Sequence, residues 1–274
     1  HKVADRDALG AAVGISCLCR KRGKTAQIVI DLEKNASQSL LAELKASNDF
    51  SGVFVSCEDA LLEADAKSLL IVVDTNRPDQ VESRALLESI PRVAVIDHHR
   101  RAADYIEQVV LNLHEPFASS ASELVTELVQ YYGGDEEMNE IEASCLYAGI
   151  VVDTKNFAVQ TSVRTFDAAS FLRRCGADTK LVHRLFAEDI HFIKTKAEIL
   201  AHMKLIDNYI AIAECPEGTE DSQVLAGQIA DYLVTVKEIR TSFLFYHTDN
   251  GLCLSARSDG SINVQVVMEA LGGG

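Results

Sequence analysis

Arg92-Val93-Ala94-Val95-Ile96 is an apolar, β-branched run that stops abruptly at Asp97-His98-His99-Arg100-Arg101. A run of this kind reads as a strand buried on both faces, and strands buried on both faces belong to parallel sheets covered by helices. Ser68-Leu69-Leu70-Ile71-Val72-Val73 repeats the pattern and runs straight into Asp74-Thr75-Asn76-Arg77-Pro78. Residues 39–45, 58–64 and 84–89 read as helices, and 26–32 and 52–56 as further strands. Strand alternating with helix predicts an α/β fold built on a parallel, doubly wound sheet. Such sheets place ligands just outside the carboxyl ends of their strands. Asp74, Asp97, His98 and His99 therefore stand where chemistry is expected.

Two more segments carry similar groups. His1-Lys2-Val3-Ala4-Asp5-Arg6-Asp7 gathers a histidine and two carboxylates ahead of residues 8–19, whose small and apolar side chains read as a tightly packed helix. Asp7 also fits the role of that helix's cap. A buried helix at 140–152 ends in Asp153-Thr154-Lys155-Asn156-Phe157. An acid at a helix C-terminus opposes the macrodipole at a cost of roughly 0.3–1 kcal/mol, so Asp153 points to a compensating cation. Residues 119–132 form another helix, started by a serine cluster and stopped by Gly133-Gly134. A further helix spans 164–175.

The organisation changes toward the C-terminus. Charged helical sequence at 179–204 reads as a connector between a domain at 1–178 and a smaller α+β domain at 205–274. In the latter, strands are expected at 209–213, 239–246 and 252–256, and helices at 224–233 and 263–271. The chain closes on Gly272-Gly273-Gly274, a run that lets backbone N–H groups approach an anion and that equally reads as a loose end.

Composition narrows the partners. With 41 Asp and Glu against 26 Lys and Arg, the formal net charge is −15. Long nucleic acids usually meet a basic surface, so they are not expected here, whereas a small anion held through cations is. No stretch approaches the roughly 20 apolar residues of a membrane span, so no membrane contact is expected from these residues. Seven scattered cysteines without a Cys-x-x-Cys pair read as reduced core thiols.

His1, Asp5, Asp7, Asp74, His98 and Asp153 come from four segments that the fold reading brings to one sheet edge. Two imidazoles with four carboxylates and no thiolate suit Mn²⁺ better than structural Zn²⁺. Six ligands exceed the usual needs of one ion, and two ions about 3.5–4 Å apart form the two-metal arrangement of phosphoryl hydrolysis.

The motifs His-x-x-x-Asp-x-Asp, the strand ending in Asp74, Asp97-His98-His99, and the helix ending in Asp153 resemble those of the DHH phosphoesterase superfamily. Ser120-Ala121-Ser122-Glu123, Gly149-Ile150-Val151-Val152-Asp153, Arg164-Thr165-Phe166, Ser255-Ala256-Arg257-Ser258 and Ile262-Asn263-Val264-Gln265-Val266 resemble in particular the DHH and DHH-associated domains of GdpP-type cyclic di-AMP phosphodiesterases. The resemblance covers essentially the whole chain. It implies hydrolysis of cyclic di-AMP to linear pApA with two Mn²⁺ ions, other divalent ions being admissible. One ion would be held by His1, Asp5 and Asp74, the other by Asp7, His98 and Asp153, with Asp74 bridging. His99 would act beside the scissile phosphate, and Asp97 would orient a ligand histidine. Arg257, Ser258, Gly272, Gly273 and Gly274 would contact the substrate's other phosphate or nucleotide.

Family members of this type continue past the glycine run into a histidine, and they carry a strand before the first ligand as well as membrane helices, a PAS and a degenerate GGDEF domain. The chain is accordingly expected to be the cytoplasmic catalytic part of a membrane-anchored protein, and a homodimer is compatible with it. A DHH oligoribonuclease that degrades pApA or short RNA, and a non-catalytic nucleotide sensor, are the alternative readings.

Overall fold

The computed structural model describes residues 1–133, 138–187, 190–219, 222–248 and 251–272. The chain divides into two units, His1–Phe186 and Ala187–Gly274.

The first unit runs α1 (Arg6–Lys21), β1 (Ile28–Val29), α2 (Gln38–Ala46), β2 (Phe54–Val55), α3 (Cys57–Glu63), β3 (Leu70–Val73), α4 (Arg84–Ser89), β4 (Val93–Asp97), β5 (Leu111–His114), α5 (Ala121–Tyr132), α6 (Glu140–Asp153), α7 (Val163–Arg174) and α8 (Thr179–Leu185). Every strand pair is parallel, in two sheets of order β1-β2 and β3-β4-β5. The alternating pattern predicted this α/β arrangement. Between the sheets runs a cleft of about 810 Å³, lined by Ala8, Ala12 and Ile15 of α1, by Val29 and Ile71, and by Leu86 of α4. All five residues of β4 are buried, as its apolar run required. β5 has no such signature: Leu111 and Asn112 are exposed and Leu113 and His114 only half-buried. Its pairing with β4 makes it a strand that sequence periodicity does not show.

Helix ends follow local rules. The side chain of Ser120 caps α5, and Asn139 with Glu142 forms a capping box on α6, each satisfying backbone N–H groups that the first turn leaves unpaired. α1 packs directly on α5 and α6, with Ala11 and Ile15 meeting Leu124, Val125, Leu146 and Ile150 in one buried cluster. Gly10 permits that approach, because a Cβ there would sit 2.5 Å from the Cys145 carbonyl oxygen. α8 closes the unit by burying Val182 and Leu185 in a cluster with Leu9 and Ala148.

The second unit holds α9 (Ile190–Ala201), β6 (Lys204–Ile206), β7 (Ile210–Glu214), α10 (Ser222–Leu233), β8 (Thr241–Thr248), β9 (Gly251–Ser258) and α11 (Val264–Ala270). Its sheet has the order β6-β7-β8-β9, with only β7 and β8 parallel. Leu225, Ala226, Ile229 and Leu233 of α10 pack with Ala211, Ala213 and Leu244 of the sheet and with Ile199 of α9. The exposed strand β6 escaped the sequence reading for the same reason as β5. No helix among the described residues is long and apolar enough to cross a membrane.

The contact at Gly10 is against backbone, which cannot swing away. Gly10→Ala is therefore expected to destabilise the protein by about 1–3 kcal/mol through overpacking between α1 and α6. Denaturant unfolding monitored by circular dichroism measures this, and an unchanged midpoint would mean that the two helices part freely.

Candidate metal and phosphate site

Asp5 precedes α1 and caps it, its Oδ1 accepting from the backbone N–H of Asp7 at 2.9 Å and of Ala8 at 3.0 Å. The cap is thus Asp5 rather than Asp7. Asp7, the second residue of the helix and fully buried, instead accepts from the backbone N–H groups of Ala121 at 2.7 Å and Ser122 at 2.8 Å. Those donors belong to the first turn of α5, so a second helix N-terminus stabilises its charge. Gly149 makes room for this meeting, since a Cβ there would lie 2.1 Å from Ser122 Oγ and 2.8 Å from Asp7 Oδ1.

Asp74 follows β3 with φ +61°, a left-handed conformation uncommon for a residue with a side chain and characteristic of functional sites. Its backbone N–H still donates to the Ile96 carbonyl of β4 at 2.9 Å, so the turn happens at the sheet's carboxyl edge. Asp153 is the last residue of α6, and Lys155, Asn156 and Phe157 after it all have positive φ, 46°, 59° and 63°.

His98 is where these carboxylates converge. Its Nε2 lies 3.0 Å from Asp153 Oδ2, 3.4 Å from Asp74 Oδ1 and 3.8 Å from Asp7 Oδ2, and His1 Nδ1 is 3.9 Å from the other oxygen of Asp74. None of these contacts has hydrogen-bond alignment at His98: its Nε2, Asp74 Oδ1 and His1 Nδ1 are all buried without a hydrogen-bond partner. Buried polar atoms left unpaired are rare and call for an explanation. Here the three belong to one constellation, and two groups within it have metal-ligand spacing: Asp7, His98 and Asp153, and Asp74, His98 and His99. The donor set, nitrogen and carboxylate oxygen without sulfur, fits a divalent ion such as Mn²⁺ or Mg²⁺.

Electrostatics point the same way. Burial pushes the Asp5 carboxyl up to about 6, with the charge of Asp74 adding to it. Burial, followed by Asp74 and Asp153, raises Asp7 as well. Burial opposes a proton on His98, but Asp153, Asp74 and Asp7 overcome it and push that imidazole up to about 11. In the absence of a metal ion the cluster thus retains protons that a cation would displace.

His99 is the more exposed of the pair, and its ring centroid lies 4.5 Å from that of His98. Its Nδ1 lies 2.8 Å from Oδ1 of Asp97, so Asp97 meets His99. Asp97 is fully buried; burial would raise its pKa, but hydrogen bonds from His99 and Asn76 outweigh that and lower it. The same bond to Asp97 raises His99. Two further neighbours were not singled out from sequence. Asn76 donates to Asp97 Oδ2, and His114 Nε2 sits 2.6 Å from the His99 carbonyl oxygen. Strand register was the missing signal: β5 places His114 opposite Asp97, and β3 delivers Asn76 two residues beyond Asp74.

Arg257 and Ser258 lie in the second unit, at the end of β9. The guanidinium donates through Nε to Asp231 Oδ2 at 3.2 Å and through Nη1 to the Ala256 carbonyl at 2.9 Å. Ser258 Oγ accepts from the backbone N–H of Gly260 at 3.1 Å. Gly272 follows α11 with φ +83°, while Gly273 and Gly274 lie outside the described residues.

The sequence profile of the DHH family, N-terminal domain, matches residues 1–150. The whole chain is 42% identical to the cyclic-di-AMP phosphodiesterase GdpP of Bacillus subtilis and 39% identical to the cyclic-di-AMP phosphodiesterase PdeA of Listeria monocytogenes. In both cases it spans 42% of the relative's length. Among solved structures, an exopolyphosphatase-related protein from Bacteroides fragilis shares the fold, with TM-score 0.76 at 18% identity over 95% of this chain and 78% of that one.

The protons on His98 and Asp5 set a pH dependence. A divalent ion competes with the His98 proton everywhere below about pH 11 and with that of Asp5 below about pH 6. Mn²⁺ affinity is therefore expected to rise with pH, by at least about tenfold per unit between 6.5 and 8, with any proton held by the raised Asp7 adding to it, and more steeply below 6. Titration calorimetry in buffers of different ionisation enthalpy would count the released protons. Binding without proton release would contradict the charged state assigned to His98.

Proposed function

This chain belongs to the DHH family, and on that premise we propose that it hydrolyses cyclic di-AMP to linear pApA in a site built on His1, Asp5, Asp7, Asp74, His98 and Asp153. The observation that carries the reading is the convergence of two histidines on buried carboxylates, with His1 Nδ1, His98 Nε2 and Asp74 Oδ1 left without a hydrogen-bond partner. The names of the relatives, cyclic-di-AMP phosphodiesterases at 39% and 42% identity, supply the substrate class.

Two Mn²⁺ ions would fit the number and type of donors: His1, Asp5 and Asp74 would hold one, and Asp7, His98 and Asp153 the other. When bound, such a pair activates a water nucleophile and neutralises charge on the attacked phosphate. The remaining work falls to the chain. Asp7 and Asp5 are fixed by backbone N–H groups and cannot rotate away from the site. Asp97, ionised, can only accept, so His99 carries a proton on Nδ1 and turns Nε2 away from Asp97. With its pKa raised by that pairing, His99 is suited to hold a second proton at Nε2 and deliver it to the departing ribose oxygen. Arg257 offers a planar donor fork for a substrate phosphate, and Ser258 and Gly272–Gly274 are assigned to the same substrate.

Incubation with Mn²⁺ and cyclic di-AMP, cyclic di-GMP or pApA in parallel tests the substrate. Cyclic di-AMP should give pApA, while conversion of pApA to mononucleotides as the main reaction would favour an oligoribonuclease. His98→Ala should weaken Mn²⁺ binding, whereas His99→Ala should keep the metal and lose about 10²–10⁴ in kcat. Exchange of those two outcomes would reverse the roles. Arg257→Ala should reduce cyclic di-AMP turnover about tenfold or more and spare a small nitrophenyl phosphodiester. Equal loss on both substrates would make Arg257 a structural residue of its unit.

A further inference from the structure

Asn76 stands two residues beyond Asp74 and is 6% exposed. Val73 of β3 is in register with Ile96 of β4, so the loops leaving the two strands start side by side. Asn76 binds them together. Its Nδ2 donates to Asp97 Oδ2 and, at 3.3 Å, to the Arg100 carbonyl. Its Oδ1 accepts from the Ala102 N–H at 3.0 Å, and its backbone carbonyl accepts from the Ile106 N–H at 2.8 Å. One buried amide therefore holds both the carboxylate at the end of β4 and the loop that carries His98, His99 and Arg100.

The consequence lies in how the two oxygens of Asp97 are divided. Oδ2 takes the Asn76 amide, and Oδ1 takes His99 Nδ1 at 2.8 Å and the His99 backbone N–H at 3.3 Å. His114 Nε2 is 3.9 Å from Oδ2 and is engaged by the His99 carbonyl, so it does not replace the amide. Without the amide donor, a buried carboxylate oxygen would be unsatisfied and the group would turn toward other donors, carrying the His99 ring with it. An amide suits this place because it offers a donor without a charge, beside a cluster already crowded with carboxylates.

We propose that Asn76 is a positioning residue for phosphodiester hydrolysis: by occupying one oxygen of Asp97 and tying down residues 100–102, it fixes the direction in which His99 presents Nε2. This rests on the reading in which His99 serves the reacting phosphate. His114 supports the same turn from β5 by holding the His99 carbonyl.

Asn76→Asp, nearly isosteric but without the amide donor, and Asn76→Ala are the variants to compare in the Mn²⁺-loaded protein. Outer partners of site residues typically contribute 10–100-fold, so kcat should fall about 10–100-fold in both variants, while in Asn76→Ala, which adds no charge to the cluster, KM and Mn²⁺ affinity stay within about twofold. The loss should vanish when His99 is already alanine, the double variant Asn76→Ala/His99→Ala turning over as slowly as His99→Ala alone. A readout independent of activity is the ¹H–¹⁵N spectrum of His99 in the protein loaded with diamagnetic Mg²⁺, whose hydrogen-bonded Nδ1–H signal should move or disappear in Asn76→Asp. Native kcat in both variants, an equal fold-loss in the His99→Ala background, or failure of both variants to fold would overturn the assignment and leave Asn76 as a residue of the fold. If the unaltered protein does not cleave cyclic di-AMP, the function reading fails on that result alone, and the His99 signal still decides whether Asn76 positions the ring.

Discussion

The site depends on crowding carboxylates around one imidazole. Asp7, Asp74 and Asp153 each place an oxygen within 3.8 Å of His98 Nε2, and Asp5 is close enough for its pKa to be raised by Asp74. Like charges about 4 Å apart repel by roughly 4 kcal/mol at the effective dielectric of a protein edge, so the arrangement needs positive charge from several directions. Backbone provides part of it. The N-terminus of α1 is capped by Asp5, and that of α5 donates two N–H groups to Asp7. Asp153 has no such help, because it sits at the C-terminal end of α6 where the helix dipole is unfavourable. It is also the carboxylate nearest His98. The remaining deficit must be met by a proton on His98 or by cations, which makes the cluster a candidate cation site.

Close helix packing makes that construction hold. α1, α5 and α6 each contribute to the cluster, and each would miss it if the helices stood farther apart. Gly10 lets α1 meet the backbone of α6, and Gly149 lets α6 pass Ser122 beside Asp7. The small residues of α1, visible in the sequence as a run of alanine and glycine, thus belong to the site as much as to the core. The sheet contributes in a different way. Parallel strands β3 and β4 end side by side, so Asp74 and Asp97 emerge at one edge. The left-handed backbone at Asp74 then turns its carboxylate toward His1 and His98 rather than continuing the strand.

What the sequence revealed, and what it concealed, follows from the range of the interactions. β4 announces itself because all five of its residues are buried, and the groups after it could be named because they stand at the end of an unmistakable apolar run. Asp153 was visible as an acid on the wrong end of a helix. β5 and β6 were not visible, because strands with exposed or half-exposed residues acquire their conformation from pairing with a neighbour, not from their own pattern. Asn76 and His114 stayed hidden for a related reason. An asparagine in a loop and a histidine on a weak strand carry no signal until register places both against Asp97. Asp7 marks the limit of local reading in another way, since a cap was its local alternative to a ligand role, whereas its hydrogen-bond partners lie more than 100 positions away on α5.

Acidity also orders the events at the site. A phosphodiester is itself anionic, and a chain of net charge −15 with several carboxylates at its reactive edge gives it no long-range attraction. In the metal-free state the only positive charge among these groups is that of protonated imidazoles, with His98 enclosed by three carboxylates. On the proposed reading, approach of a phosphate would therefore become favourable only after cations had neutralised the carboxylates. Burial of Asp7 and Asp74 among other carboxylates favours a cation there and, on the proposed reading, would disfavour an anionic substrate until that cation is bound. If the proposed function holds, cation binding and substrate binding are one linked equilibrium, with the carboxylates setting its order.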